Sequence, residues 1–191
     1  SDKGERVDKR ENRVPVVVTI TGSSGSGKTR FVERVLPALR DRSLSVGTVK
    51  HASHGFTADR PGSDSARHTA AGGEPVLLVG PEGHVLFHLN ARSEDPEPGL
   101  HDLVSRYFAD RDLVLVEGFS SEGGPCVLIS RRDVEHRTAP RSERVLFAMV
   151  DEPLGFEVEL SPDDITTAAG LLVDHVRAHA GKPSPFAAGT P

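Results

Sequence analysis

Eight consecutive residues, Gly22-Ser23-Ser24-Gly25-Ser26-Gly27-Lys28-Thr29, follow the apolar run from Val14 to Ile20 and precede a stretch with helical spacing. Strand, glycine loop and helix start, in that order, leave a chain few folds to choose from. Glycine at positions 22, 25 and 27 admits backbone angles that other residues avoid, so successive N–H groups can turn inward around an anion. A helix beginning near Gly27 adds the positive end of its dipole. Lys28 can reach terminal phosphates, and the Thr29 hydroxyl suits a Mg²⁺ ion bridging them. The spacing therefore implies a bound nucleoside triphosphate, with Gly22, Ser24, Gly25, Ser26, Gly27, Lys28, Thr29 and Arg30 around its phosphates. The competing reading, a glycine-rich turn of similar spelling, fits poorly with a buried-type strand before the loop and a Lys-Thr pair after it.

A length of 191 residues suits one domain with an ample core. The net charge of −5 gives no general attraction to nucleic acid or to an anionic membrane surface. A single cysteine, Cys126, excludes an intrachain disulfide framework and a multi-cysteine zinc site. No apolar stretch approaches the roughly 20 residues of a membrane helix, and no apolar signal core opens the chain. The expected address is the cytoplasm.

Strand-like and helix-like segments alternate. Residues 1–13 form a charge-rich lead, 14–179 the nucleotide-binding domain, and 180–191 a loose tail. Val14 to Thr21 is a β-branched run of the kind buried on both faces. Phe31, Val32, Val35, Leu36 and Leu39 share one helical face between Lys28 and Arg40, with Pro37 expected to bend or end that helix. Ser45 to Lys50 reads as a strand, Ser63-Asp64 as the cap of a helix running to Ala71, and 76–79 with 84–89 as a hairpin. Leu100, Leu103, Val104, Tyr107 and Phe108 form a further helical stripe. Strands follow at 113–116, 127–130 and 145–150. Ser161 caps a last helix, with Pro162 in its first turn, that runs to about His179. This alternation after a phosphate loop predicts a three-layer α/β/α sandwich of the P-loop NTPase type, with a mainly parallel sheet.

Two further segments add chemistry. In Asp112-Leu-Val-Leu-Val-Glu117-Gly118-Phe119, four apolar residues carry Glu117 to the carboxyl end of a central strand, where open α/β sheets bind ligands. There a carboxylate can hold a water of the Mg²⁺ shell or orient an attacking water. The second segment joins Lys50-His51-Ala-Ser-His54-Gly-Phe to Asp59-Arg60-Pro61-Gly62-Ser63-Asp64-Ser65-Ala66-Arg67-His68. Lys50 and His51 end a strand on the ligand side. Asp59 or Asp64 could supply oxygens to the ion shell, and Lys50 and Arg67 could neutralise phosphate charge. Equally, the segment reads as a solvated connection with an ordinary Ser-Asp helix cap.

Together the glycine loop, the V-K-H-x-x-H-x-F…D-x-P-G-x-D-S-x-R-H segment and D-L-V-L-V-E-G-F resemble the MobB family of molybdopterin-guanine dinucleotide biosynthesis adapter proteins. The likeness runs from about Val14 to Val150. It implies a cytoplasmic, dimeric GTP-binding protein with weak Mg²⁺-dependent GTPase activity. Such a protein assists a guanylyltransferase in converting molybdopterin cofactor into its guanine dinucleotide form. By position, Gly25 to Thr29 would hold the phosphates, Thr29 the Mg²⁺, and Glu117 would be the strand-end acid. Lys28 and Glu117 would then be the residues closest to catalysis. Lys50, His51, Asp59, Asp64, Ser65 and Arg67 match the signature segment. The chain departs from the family's usual residues at Gly55, Ser120 and Cys126, the last two removing positive charge near the loop after Glu117.

Weaker candidates remain. Arg131, Arg132, Arg137, Arg141 and Arg144 could form a phosphate-gripping lid, or a solvated segment balanced by Asp133, Glu135 and Glu143. Asp151, at another strand end, could accept hydrogen bonds from guanine, or simply sit in a turn. His51, His54, His84 and His88 raise a metal-delivery reading, although exposed hairpin histidines explain the last two. A small-molecule kinase of nucleoside type is the main alternative, since the same glycine loop serves such enzymes. It offers no use for the Lys50–His68 segment.

Overall fold

The computed structural model describes residues 14–53, 55–88, 98–119, 123–134 and 142–182. The sequence-based expectations for the lead, for His54, Leu89, Ser120, Arg137 and Arg141, and for most of the tail lie outside these residues. In chain order the elements are β1 (Val16–Thr21), α1 (Lys28–Arg40), β2 (Val46–Lys50), α2 (Asp64–Ala70), β3 (Val76–Gly80) and β4 (Gly83–Phe87). They continue with α3 (Leu100–Tyr107), β5 (Leu113–Glu117), β6 (Cys126–Ile129), β7 (Val145–Met149), β8 (Glu159–Leu160) and α4 (Ile165–His179). The chain divides into two compact units, the smaller being Ala52–Pro98 and the larger the segments on either side of it.

The larger unit is built on one six-stranded sheet in the order β2-β5-β1-β6-β7-β8. Its neighbouring strands all run parallel. Parallel central strands are covered on both faces, and the side-chain alternation shows how. Val16, Val18 and Ile20 of β1, with Leu113 and Leu115 of β5, pack on Phe31, Val35 and Leu39 of α1 and on Ala168, Ala169, Leu172, Val173 and Val176 of α4. The intervening Val17, Val114 and Val116 point the other way, onto Leu100 and Val104 of α3. Two helices on one face and one on the other give the three layers expected. Burying side chains of this kind stabilises a fold by about 1.5–3 kcal/mol each, so continuous apolar strands and striped helices specify one another.

Several boundaries differ from the sequence reading. Pro37 lies inside α1, which continues to Arg40. Tyr107 does not join the α3 stripe and is 41% exposed. The last helix begins at Ile165, and its cap is Asp164, whose carboxylate accepts from the Thr167 N–H at 3.1 Å; Ser161 lies a turn earlier. The two-residue strand β8 carries too short a pattern to be read from sequence.

In the smaller unit, Ser63 caps α2 by accepting from the Ala66 N–H at 3.1 Å. Strands β3 and β4 form an antiparallel hairpin in the register Val76↔Phe87 to Gly80↔Gly83. Among the described residues, no helix is long and apolar enough to cross a membrane.

Candidate functional site: a phosphate loop between strand tips

Because the strands of the large sheet are parallel, the loops after β1, β2, β5, β6 and β7 gather along one edge. The loop after β1 is Gly22 to Gly27, with Gly22, Gly25 and Gly27 at φ of 143°, 78° and 98°. Gly22 has a second reason to be glycine: a Cβ there would lie 2.1 Å from the Ile129 carbonyl oxygen and 2.8 Å from Ser26 Oγ. The loop closes with the Ser26 N–H donating to the Ser23 carbonyl at 3.2 Å. Ser26 is 1% exposed, and its buried hydroxyl oxygen has no hydrogen-bond partner among the described residues. A buried, unmatched hydroxyl beside a helix start is consistent with a site shaped for a polar ligand.

Gly27 caps α1 without a side-chain hydrogen bond, so the first N–H groups of α1 have no intrahelical acceptor. Lys28 folds back over the loop, its ammonium donating to the Gly22 carbonyl at 2.9 Å and the Ser23 carbonyl at 2.8 Å. Partial burial pulls its pKa below the ordinary lysine value. The Glu117 carboxylate pulls it back up, and Lys50 adds a smaller push downward. Ser24, Gly25, Thr29 and Arg30 are exposed at the loop's outer rim.

Glu117 lies at the tip of β5 and touches both neighbours. One oxygen accepts the Thr29 hydroxyl at 3.2 Å, and the other takes the Lys50 ammonium in a close ion pair. Register explains the second contact, since Lys50 and Glu117 are partners across β2 and β5. The next residues interlock as well. The His51 N–H donates to the Glu117 carbonyl at 2.8 Å, and the His51 ring packs at a tilt on Phe119 with centroids 4.6 Å apart. Gly118 stands at φ 99°, where a Cβ would lie 2.6 Å from the Cβ of His51. The Lys-His and Glu-Gly-Phe signatures are thus two halves of one contact. It fixes the carboxylate beside the helix start.

Arg131 belongs to the basic segment that could form a lid. It follows β6 and donates to the Ser130 carbonyl at 2.8 Å and, more weakly, to the Met149 carbonyl at 3.3 Å. Its guanidinium lies against Gly27. Here a cavity of about 150 Å³ opens beside the start of α1, with Arg30, Arg34 and Arg131 around it. Arg34 is held by Asp163 at 2.7 Å. Sequence reasoning passed over Arg34 and Asp163. The available signal was the i, i+4 spacing of Arg30 and Arg34 on a helix leaving the loop.

Other candidates are placed elsewhere or bound otherwise. Arg144 is no part of a lid over the loop: it sits at the start of β7, at the opposite edge of the sheet, its Nε donating to the Gly124 carbonyl at 2.9 Å. Arg132 pairs with Glu152 at 2.8 Å. Asp151 follows β7 on the ligand edge, and one of its oxygens accepts the Arg132 N–H at 2.9 Å. Cys126 is buried in β6, and burial raises its pKa.

Asp59, Asp64 and Arg67 belong to the smaller unit. Asp59 accepts the Arg60 N–H at 2.6 Å, and the Ser65 hydroxyl, assisted by Ser63, holds its pKa below the ordinary aspartate value. Asp64 pairs with Arg67 at 3.6 Å, both largely exposed. His84 lies in β4 while His88 follows it, 3.5 Å from Glu74. Among the described residues, no group of three or more His, Cys, Asp or Glu side chains converges for a metal ion.

The resemblance carried by the motifs extends over most of the chain. The adapter protein of molybdopterin-guanine dinucleotide biosynthesis from Haemophilus influenzae is 36% identical over 146 residues, covering 75% of this chain and 78% of its own. Its Escherichia coli counterpart is 29% identical over 162 residues, 83% of this chain and 91% of its own. Among solved structures, molybdopterin-guanine biosynthesis protein B superposes with a TM-score of 0.65 at 25% identity, over 85% of this chain and 99% of that one. Bacillus subtilis MobB gives 0.61 at 26% identity, over 83% and 96%. The family model for molybdopterin guanine dinucleotide synthesis protein B matches residues 17–152, from β1 past Asp151, and the chain therefore belongs to the MobB family.

Proposed function

We propose that this protein is a GTP-binding adapter that assists a guanylyltransferase in forming molybdopterin guanine dinucleotide, acting as a homodimer in the cytoplasm. The observation that carries the nucleotide reading is the meeting of three groups at one sheet edge: the glycine loop, Lys28, and the Thr29–Glu117 pair. The choice of guanine, the molybdopterin cofactor and the guanylyltransferase partner rest on the family and on the names of its characterised members.

In this reading the loop amides and the start of α1 bind the phosphates. Lys28 exchanges its carbonyl partners for terminal phosphate oxygens, a stronger charge-assisted contact. Arg30 and Arg131 flank the same anion. Thr29 and Glu117 present a hydroxyl and a carboxylate side by side, a donor set that fits Mg²⁺, which when bound would neutralise phosphate charge. Lys50 counters the charge of Glu117, and His51 keeps the tip of β5 in register. Asp59, Asp64 and Arg67 are proposed to add charge from the signature segment, and Asp151 to accept from the guanine edge.

Catalysis of hydrolysis is expected to be slow, well below about one turnover per second for the protein alone, with nucleotide presentation as the main task. Two faces of the hairpin support the dimer. Leu78 and Val85 on one side and Leu77, Leu86 and Val79 on the other are between 45% and 69% exposed, which favours cover by a second chain. The names of the characterised relatives favour the adapter over the kinase alternative, which shares the glycine loop.

The test is reconstitution. Purified guanylyltransferase, molybdopterin cofactor and Mg²⁺·GTP are assayed for dinucleotide formation with and without this protein. Stimulation by the wild type and none by Lys28→Ala supports the proposal. Phosphate transfer from GTP to a nucleoside by the protein alone would replace it.

A further inference from the structure

At the amino ends of β1, β6 and β7, the sheet edge opposite the phosphate loop, lies a cavity of about 570 Å³. That is the size of a small-molecule site, commonly about 300–1,000 Å³. Its floor is hydrocarbon from Val14, Pro15, Val17, Pro125 and Leu146. Val14 remains 45% exposed there. The rim carries two cations, Arg144 and Lys182, and two imidazoles. Arg144 comes from the start of β7, His175 and His179 from the last turns of α4, and Lys182 from just beyond it, with Glu143 the one carboxylate in the lining.

Parts of that rim are held in place. Arg144 is anchored through Nε on the Gly124 carbonyl at 2.9 Å, which leaves further N–H groups of its planar fork for an acceptor. The rings of His175 and His179 pack at a tilt with centroids 4.2 Å apart, and His179 Nδ1 lies 2.9 Å from the His175 carbonyl oxygen. Burial, with His179 adding to it, lowers the His175 pKa, so near neutral pH this ring offers flat, uncharged surface. An apolar floor beside the anchored Arg144 guanidinium and the Lys182 ammonium suits flat molecules that carry negative charge.

We propose that this cavity binds a planar aromatic anion, its ring system lying on the hydrocarbon floor and its carboxylate, sulfonate or phosphate meeting Arg144 and Lys182. The site is independent of the phosphate loop. Six residues of β1 separate the two edges, about 20 Å at the usual rise of a strand. Both can therefore be filled at once.

The probe is 1-anilinonaphthalene-8-sulfonate, titrated by fluorescence into the full chain with and without saturating Mg²⁺·GTP. One saturable site is expected, unaffected by GTP. The uncharged N-phenyl-1-naphthylamine should bind at least about tenfold more weakly, the loss expected when a charge-assisted contact is missing. The double variant Arg144→Gln, Lys182→Gln should lose about the same factor. Because Arg144 also braces Gly124, the pair His179→Gln, Lys182→Gln at the exposed end of α4 serves as a second test and should weaken the sulfonate alone. Unchanged affinity in both double variants, displacement by GTP, or loss of binding in a Leu78→Asp, Leu86→Asp hairpin variant instead would each overturn the proposal.

Discussion

Thr29 and Glu117, 88 positions apart in the chain, meet at 3.2 Å, the hydroxyl donating to the carboxylate. The contact joins the first turn of α1 to the end of β5, and Lys50 holds the opposite oxygen of the same carboxylate. A hydroxyl and a carboxylate so placed would supply about two of the six ligands of an octahedral Mg²⁺ ion. In Glu117→Gln, the gain in GTP affinity produced by Mg²⁺ should shrink by about tenfold, while affinity without Mg²⁺ is kept or rises. Titrations with and without the ion measure this. A full Mg²⁺ increment in the variant would remove Glu117 from the ion's surroundings.

Gly22 is required by space as well as by backbone angle, since an added methyl would meet the Ile129 carbonyl at 2.1 Å. Gly22→Ala should cost about 2–4 kcal/mol, or roughly 5–15 °C in melting temperature at this chain length. Gly25 has nothing within 4 Å of its would-be Cβ and only a positive φ to oppose substitution. Gly25→Ala should lose about 1 kcal/mol. Equal losses in thermal unfolding would contradict the close packing of β6 under the loop.

Lys28 carries its charge at a cost, with burial lowering its pKa below the ordinary value of 10.5. Between the lowered value and 10.5 the unfolded chain binds more protons at this position than the folded one, so stability contributed here rises with pH across that window. Wild type should gain stability relative to Lys28→Gln as pH climbs through it. Denaturant unfolding of both proteins over alkaline pH reads the difference. A gap that widens against the wild type would reverse the sign and point to the loop carbonyls as the dominant influence.

The hairpin offers a separate test of assembly. Leu78 and Leu86 lie on opposite faces of β3 and β4, and each is about half exposed. A protein that dimerises through this sheet should sediment as a dimer in the wild type and as a monomer in Leu78→Asp, Leu86→Asp, with its melting temperature little changed. A dimer that survives both substitutions would move the interface elsewhere.

Much of the fold was legible because one pattern serves both ends. Val16 to Ile20 and Leu113 to Val116 are apolar at every or nearly every position, and only a sheet covered on both faces needs that. The glycine loop and Glu117 were legible for a related reason, since the parallel strands bring their carboxyl ends to one edge. What sequence could not supply was pairing. That Lys50 faces Glu117 depends on β2 lying beside β5, an order no local pattern encodes. Arg131 and Arg144 look equivalent on a basic segment, yet β6 and β7 place them at opposite edges. The last helix start was misread because Ser161 and Asp164 both suit a cap, and the side chain that meets the Thr167 amide decides between them.

The central claim is that the Gly22–Thr29 loop holds the phosphates of a guanine nucleotide. Calorimetric titration of the wild type and Lys28→Ala with Mg²⁺·GTP and Mg²⁺·ATP tests it most directly. The account predicts one GTP site per chain in the wild type, markedly weaker ATP binding, and loss of most GTP affinity in the variant. GTP binding of equal strength in Lys28→Ala, or none in the wild type, would contradict it.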